Sequence, residues 1–149
     1  MWMILQAEQP EDWVIATGVT TKVRDFVKMA FAHVGVTLRF QGEGVNEKAF
    51  IEAIDEGVYA KALRQNPTTN SQRPITVNQE VLSIDPNYYR PTEVDVLLGD
   101  PTKAKEKLGW VPEYDLEALV EDMMCSDVKL MQREKFLKNG GYERLESFE

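Results

Sequence analysis

The chain has 149 residues, 43% of them hydrophobic and 28% charged, enough for one domain with its own core. Its 25 acidic residues outnumber 17 Lys and Arg, a net charge of −8. That balance argues against nucleic acid as a partner, since phosphate backbones reward a basic surface. One cysteine, Cys125, excludes an internal disulfide and fits a reducing cytoplasm, and no apolar run approaches the roughly 18 residues of a membrane span.

Residues 1–5 are apolar but carry no basic n-region and no cleavage site, so they are not a signal peptide. With no capping residue ahead of them they read as the last turns of a helix begun upstream. After a break at Pro10, the continuous apolar run 13–17 suits a strand buried on both faces, as in a parallel sheet. Thr20 or Thr21 is expected to start a helix, with Asp25 in its first turns, and Val23, Phe26, Val27, Ala30, Phe31 and Val34 share one face of it. Gly35 stops it, and Val36, Leu38 and Phe40 alternate with polar residues as a second strand. Strand, helix and strand within about thirty residues make an α/β unit.

Residues 47–63 read as helical, 66–71 as a polar loop and 81–85 as a short strand. Asp100 and Pro101 mark a helix start, Asp as cap and Pro at the first helical position, and Gly109 ends that helix. Asp115 caps a longer helix whose expected buried stripe is Leu116, Leu119, Val120, Met123, Met124, Val128 and Met131. Residues 1–137 form the body and 138–149 a flexible tail.

Gly42, Glu43 and Gly44 follow a strand, but the third glycine of a dinucleotide loop is replaced by Glu47, and two carboxylates there repel a pyrophosphate. A plain turn is the preferred reading. None of the five tyrosines has a lysine four residues on, and no P-loop, zinc spacing, HExxH or GxSxG motif occurs. His33, the only histidine, lies in an apolar helical pattern and reads as structural. Cys125 beside Met123 and Met124 reads as a buried helix position, with a reactive thiol as the alternative. Pro91 biases Arg90 toward extended angles that project a planar fork of donors suited to a diphosphate. Glu93, if the chain turns at Pro91, lies near enough to accept from ribose hydroxyls of the same ligand. The alternative is a surface Arg–Glu pair worth at most about 1 kcal/mol.

Residues 100–112, DPTKAKEKLGWVP, follow RPTE at 90–93, an order found near the C-terminus of extended short-chain dehydratases and epimerases of nucleotide sugars. Together with EDWVIATG at 11–18, VRDFV at 23–27, GEGVNEK at 42–48 and YRPTEV at 89–94, the chain resembles the GDP-mannose 4,6-dehydratase family. The resemblance runs from Met1 to about Met131 and is weakest over 49–78. It implies an α/β fold: the C-terminal substrate-binding part of a Rossmann-like extended short-chain dehydrogenase/reductase. It places Arg90 on the diphosphate and Glu93 on the ribose of GDP-mannose.

NADP and the catalytic Thr, Glu and Tyr/Lys groups, which oxidise C4, eliminate water across C5 and C6 and return the hydride, belong in that family to an N-terminal half. This chain lacks it, so no cofactor is expected on these residues and no activity from them alone. A related GDP-sugar epimerase or reductase, or a stand-alone nucleotide-binding or assembly module, are the alternatives. Strands that normally extend a sheet begun upstream leave Trp2, Leu5, Trp13 and Trp110 as candidate exposed surface. Self-association, or a separate N-terminal half as partner, is the expected consequence.

Overall fold

The computed structural model describes residues 1–62, 75–90, 92 and 96–142. Its elements are α1 (Trp2–Leu5), α2 (Val23–His33), β1 (Val36–Gln41), a short 3-10 turn (Gly44–Asn46), β2 (Lys48–Ile54), α3 (Glu56–Ala62), β3 (Glu80–Ser83), α4 (Thr102–Leu108) and α5 (Leu116–Asn139). This is a mixed helix and sheet chain. The expected loop 66–71, the end of the helix expected over 47–63, and the tail beyond residue 142 lie outside the described residues.

The three strands form one antiparallel sheet in the order β1-β2-β3, with Leu38 opposite Ile51 and Phe40 opposite Ala49. Val36, Leu38, Ala49 and Ile51 are buried and form the core. Val27, Phe31 and Val34 cover it from α2 and its end, Tyr59 from α3, and Val81 and Leu82 from β3. Burial of four aliphatic side chains under a helix, at roughly 25 cal/mol per Å² of apolar area, is the main force holding this region together.

Several expectations are corrected here. Residues 48–54 are a strand, not the first half of a helix, because Ala49 and Ile51 point inward at a period of two while Lys48 and Glu52 face solvent. Only then does Asp55 accept the Val58 N–H at 3.0 Å and α3 begin. Among the described residues 13–17 are in no ladder and the sheet is antiparallel, so of the strand, helix and strand expected over 13–40 the helix and the second strand are present and the first strand is unpaired. Instead 13–17 runs beside 96–99. A Cβ on Gly99 would lie 2.7 Å from the Ala16 Cβ, and the Thr20 hydroxyl donates to the Leu97 carbonyl at 3.1 Å. α2 starts at Val23 with Lys22 at the cap position, and neither Thr20 nor Thr21 caps it.

The C-terminal helices follow the sequence closely. The Asp100 carboxylate accepts from the Thr102 N–H (2.9 Å) and hydroxyl (2.6 Å), so the acid serves α4 although helical geometry starts one residue after Pro101. Those bonds hold the Asp100 carboxyl below its ordinary value. Gly109 ends α4 in the left-handed region (φ 66°), and the Trp110 N–H bonds back to the Ala104 carbonyl at 3.2 Å. Asp115 caps α5 by accepting the Ala118 N–H at 2.8 Å.

In α5 the inward line is Leu116, Val120, Met124 and Val128, whereas Leu119, Met123 and Met131 of the expected stripe face solvent. Contact with α2, its main neighbour among the described residues, is satisfied by one i, i+4 row, and Gln132 adds a hydrogen bond to the Ala62 carbonyl at the end of α3 (3.2 Å). α5 runs to Asn139, two residues past the boundary drawn at 137. Trp2 and Leu5 are exposed (72% and 76%), but Trp13 and Trp110 are half-buried. Trp13 is covered by the Lys103 ammonium, 4.9 Å from its ring centroid.

Candidate functional site

β1 delivers the chain into a tight turn over 42–47, then into β2. Gly42 (φ 85°) is required there, because a Cβ would lie 2.3 Å from the Asn46 carbonyl oxygen. Gly44 (φ 57°) admits the Tyr89 ring, whose hydroxyl lies 3.1 Å from where a Cβ would stand. Tyr89 comes from a second turn, built by Asp85. Its carboxylate accepts the Asn87 N–H at 2.8 Å, and its carbonyl accepts the Tyr88 N–H at 3.1 Å. The two turns are therefore seated on each other through Gly44 and Tyr89.

That contact sets where Arg90 starts. The Arg90 residue is exposed and makes no hydrogen bond or ion pair to any described residue. Pro91 and Glu93 lie outside the described residues, so the Arg90–Glu93 pairing expected from sequence is not tested here. On the opposite flank of β1, Arg24 in the first turn of α2 forms an ion pair with Glu47, whose Oε1 is buried without an aligned hydrogen bond. Arg24 and Lys28 each stand 5.5 Å from the Phe40 ring centroid. The 42–47 turn thus touches a cation through Glu47 and the Arg90 turn through Gly44.

Sequence reading missed Arg24. Its 23-residue separation from Glu47 hides the pair, and only the spacing of both from the glycine turn hints at it. It also missed the role of the lysines in residues 100–112. Lys103 Nζ reaches Glu11 Oε2 and the Asp12 carbonyl, both at 2.8 Å, and Lys107 Nζ reaches Glu11 at 3.0 Å. Spaced i, i+4 on α4, the two ammonium groups clamp segment 11–13 onto the helix. Hydrogen bonds from Lys103, then Lys107, hold the Glu11 carboxyl below its ordinary value of 4.5.

The glycine turn does not fit a dinucleotide. It leads into one 3-10 turn and a strand rather than the N-terminus of a long helix, and Glu47 occupies the cation beside it. What the arrangement holds at its edge is one exposed arginine, Arg90. His33 and Cys125 meet elsewhere, in the α2–α5 cleft, with Nε2 and Sγ 3.9 Å apart. Among the described residues no three His, Cys, Asp or Glu side chains group as a metal site, and no helix is long and apolar enough to cross a membrane.

The family model for GDP-mannose 4,6 dehydratase matches residues 1–123. A GDP-mannose 4,6-dehydratase of Vibrio cholerae is 46% identical over 142 residues, covering 95% of this chain and 35% of that protein. One from Yersinia enterocolitica is 42% identical over 142 residues, with the same two shares. The human GDP-mannose 4,6 dehydratase is 39% identical over 132 residues, covering 89% of this chain and 29% of that protein. The chain therefore spans about a third of the length of the curated relatives it matches. Since the family model takes in both turns, the Lys103 clamp and the first turns of α5, the chain belongs to the GDP-mannose 4,6-dehydratase family.

Proposed function

We propose that this chain is the substrate-binding portion of a GDP-mannose 4,6-dehydratase, holding GDP-mannose while the reaction is carried out by other parts of a longer protein. The observation that carries the reading is Arg90: an exposed guanidinium without a described partner, started from a turn that Tyr89 seats on Gly44, in a chain of this family. A planar fork of five donors matches two phosphate oxygens in one plane. Glu93 accepts from the ribose hydroxyls, while Arg24 at the same glycine turn is already paired with Glu47 and leaves Arg90 as the cation for the diphosphate. NADP supplies hydride exchange in the complete enzyme and is held outside these residues. The setting is cytoplasmic.

Titration calorimetry with GDP and with GDP-mannose tests the reading. Removing a bidentate charged contact costs about 1.5–3 kcal/mol, so Arg90→Ala should weaken binding of both ligands roughly 10- to 100-fold. Glu93→Gln should weaken GDP more than an isolated diphosphate. Equal affinity of wild type and Arg90→Ala for GDP would remove Arg90 from the site.

A further inference from the structure

Arg90 leaves from a turn that the sheet alone does not orient. β3 ends at Ser83, and the hydrogen bonds of residues 85–90 to described residues all close within the turn itself. The Asn87 N–H and Nδ2 donate to the Asp85 carboxylate (2.8 and 2.9 Å), the Tyr88 N–H to the Asp85 carbonyl (3.1 Å) and the Tyr89 N–H to the Pro86 carbonyl (3.4 Å). What docks this turn is the Tyr89 ring, whose hydroxyl and Cζ lie 3.1 and 3.7 Å from where a Cβ on Gly44 would stand. The receiving turn is itself held. The Asn46 and Glu47 N–H groups bond the Glu43 and Gly44 carbonyls, both at 3.1 Å, and Glu47 pairs with Arg24 of α2. Its two glycines differ in what they make room for. A Cβ on Gly42 would meet the turn's own backbone at Asn46, whereas a Cβ on Gly44 would meet Tyr89.

We propose that Tyr89 and Gly44 are positioning residues for the ligand: the ring, set on a backbone with no Cβ, fixes the direction in which the next residue, Arg90, sends its guanidinium. This rests on the reading of Arg90 as the diphosphate contact. A bidentate fork works only when both N–H groups meet their oxygens, and such a site needs its groups held to within roughly 0.5 Å. An arginine that starts from an undocked loop loses that placement; one that starts beside a docked ring keeps it.

Titration calorimetry with GDP, run alongside urea unfolding, tests this. Gly44→Ala puts a methyl 3.1 Å from the Tyr89 hydroxyl, so the ring must move and GDP binding should weaken about tenfold. Adding Tyr89→Phe removes that hydroxyl and leaves ordinary contact at 3.7 Å, so affinity should return to within about twofold of wild type. An L-residue at φ 57° stays strained in both chains, so both should unfold at lower urea than wild type. Affinity that merely followed stability would not recover. Tyr89→Ala removes a ring already 42% exposed, and should weaken GDP by a similar factor in a chain whose folding circular dichroism checks. In an Arg90→Ala background neither Gly44→Ala nor Tyr89→Ala should weaken GDP further, because both act through that arginine. If either binds GDP as wild type does, or if the double variant stays weak, while Arg90→Ala still loses affinity, the positioning role fails and the diphosphate reading stands. No GDP binding by wild type, or equal binding by Arg90→Ala, overturns both.

Discussion

A single lysine explains why residues 100–112 look as they do. Lys103 bonds Glu11 and the Asp12 carbonyl and covers Trp13, joining residues some ninety positions apart. The folded Glu11 carboxyl lies below its ordinary value, so the clamp contributes above 4.5 and is lost as pH falls through the lowered value. In a chain with Trp2→Phe and Trp110→Phe, the emission of Trp13 should therefore shift in acid below pH 4.5, with the transition absent after Glu11→Gln. Identical profiles would mean that Glu11 does not hold the segment. Arg90 shows the reverse limit. Its projection was legible because Pro91 restricts the residue before it, but its neighbour Tyr89 was not, since the Tyr89–Gly44 contact joins two loops. Caps and stops at Asp100, Gly109 and Asp115 were legible because they are local bonds.

At the scale of elements, α2 emerged from periodicity and α4 and α5 from their capping residues, whereas β2 did not. Residues 48–62 join a strand to a helix with one aspartate between them, and Ala49, Phe50, Ile51, Ala53 and Ile54 satisfy either period over so few residues. What decides is tertiary: β1 and β3 both pair with residues 48–54, burying Ala49 and Ile51 completely. Ile51 is the largest fully buried side chain and belongs to the core cluster with Val36, Leu38 and Ala49. Ile51→Ala should cost about 2–4 kcal/mol in urea unfolding, while Glu52→Ala on the same strand should stay within about 0.5 kcal/mol. Comparable losses would mean that the sheet, not the α2-covered core, is the weaker element.

Over the whole molecule, apolar surface divides unevenly between a covered sheet and uncovered extended segments. Residues 13–17 and 96–99 lie side by side with no backbone hydrogen bonds to each other, and Val14, Ile15 and Leu97 are 50%, 48% and 82% exposed. Extended backbone with alternating donors and apolar side chains is a strand without its neighbours. Residues 13–17 read as a strand because they form a short continuous apolar run; a strand is a property of pairing, which one segment cannot supply. Amides of 14–17 should exchange with solvent close to the unpaired rate, and those of β1 and β2 on the order of 10²–10³ slower, since opening paired strands costs a few kcal/mol.

The curated relatives are about three times as long, and adding the remaining part of such a relative as a separate polypeptide tests whether it supplies those neighbours. Adding it should slow exchange at 14–17 and 97–99 while leaving α5 unchanged. Protection of residues 14–17 in the chain by itself would show that these segments already find strand partners between copies, and that the uncovered sheet edge governs association.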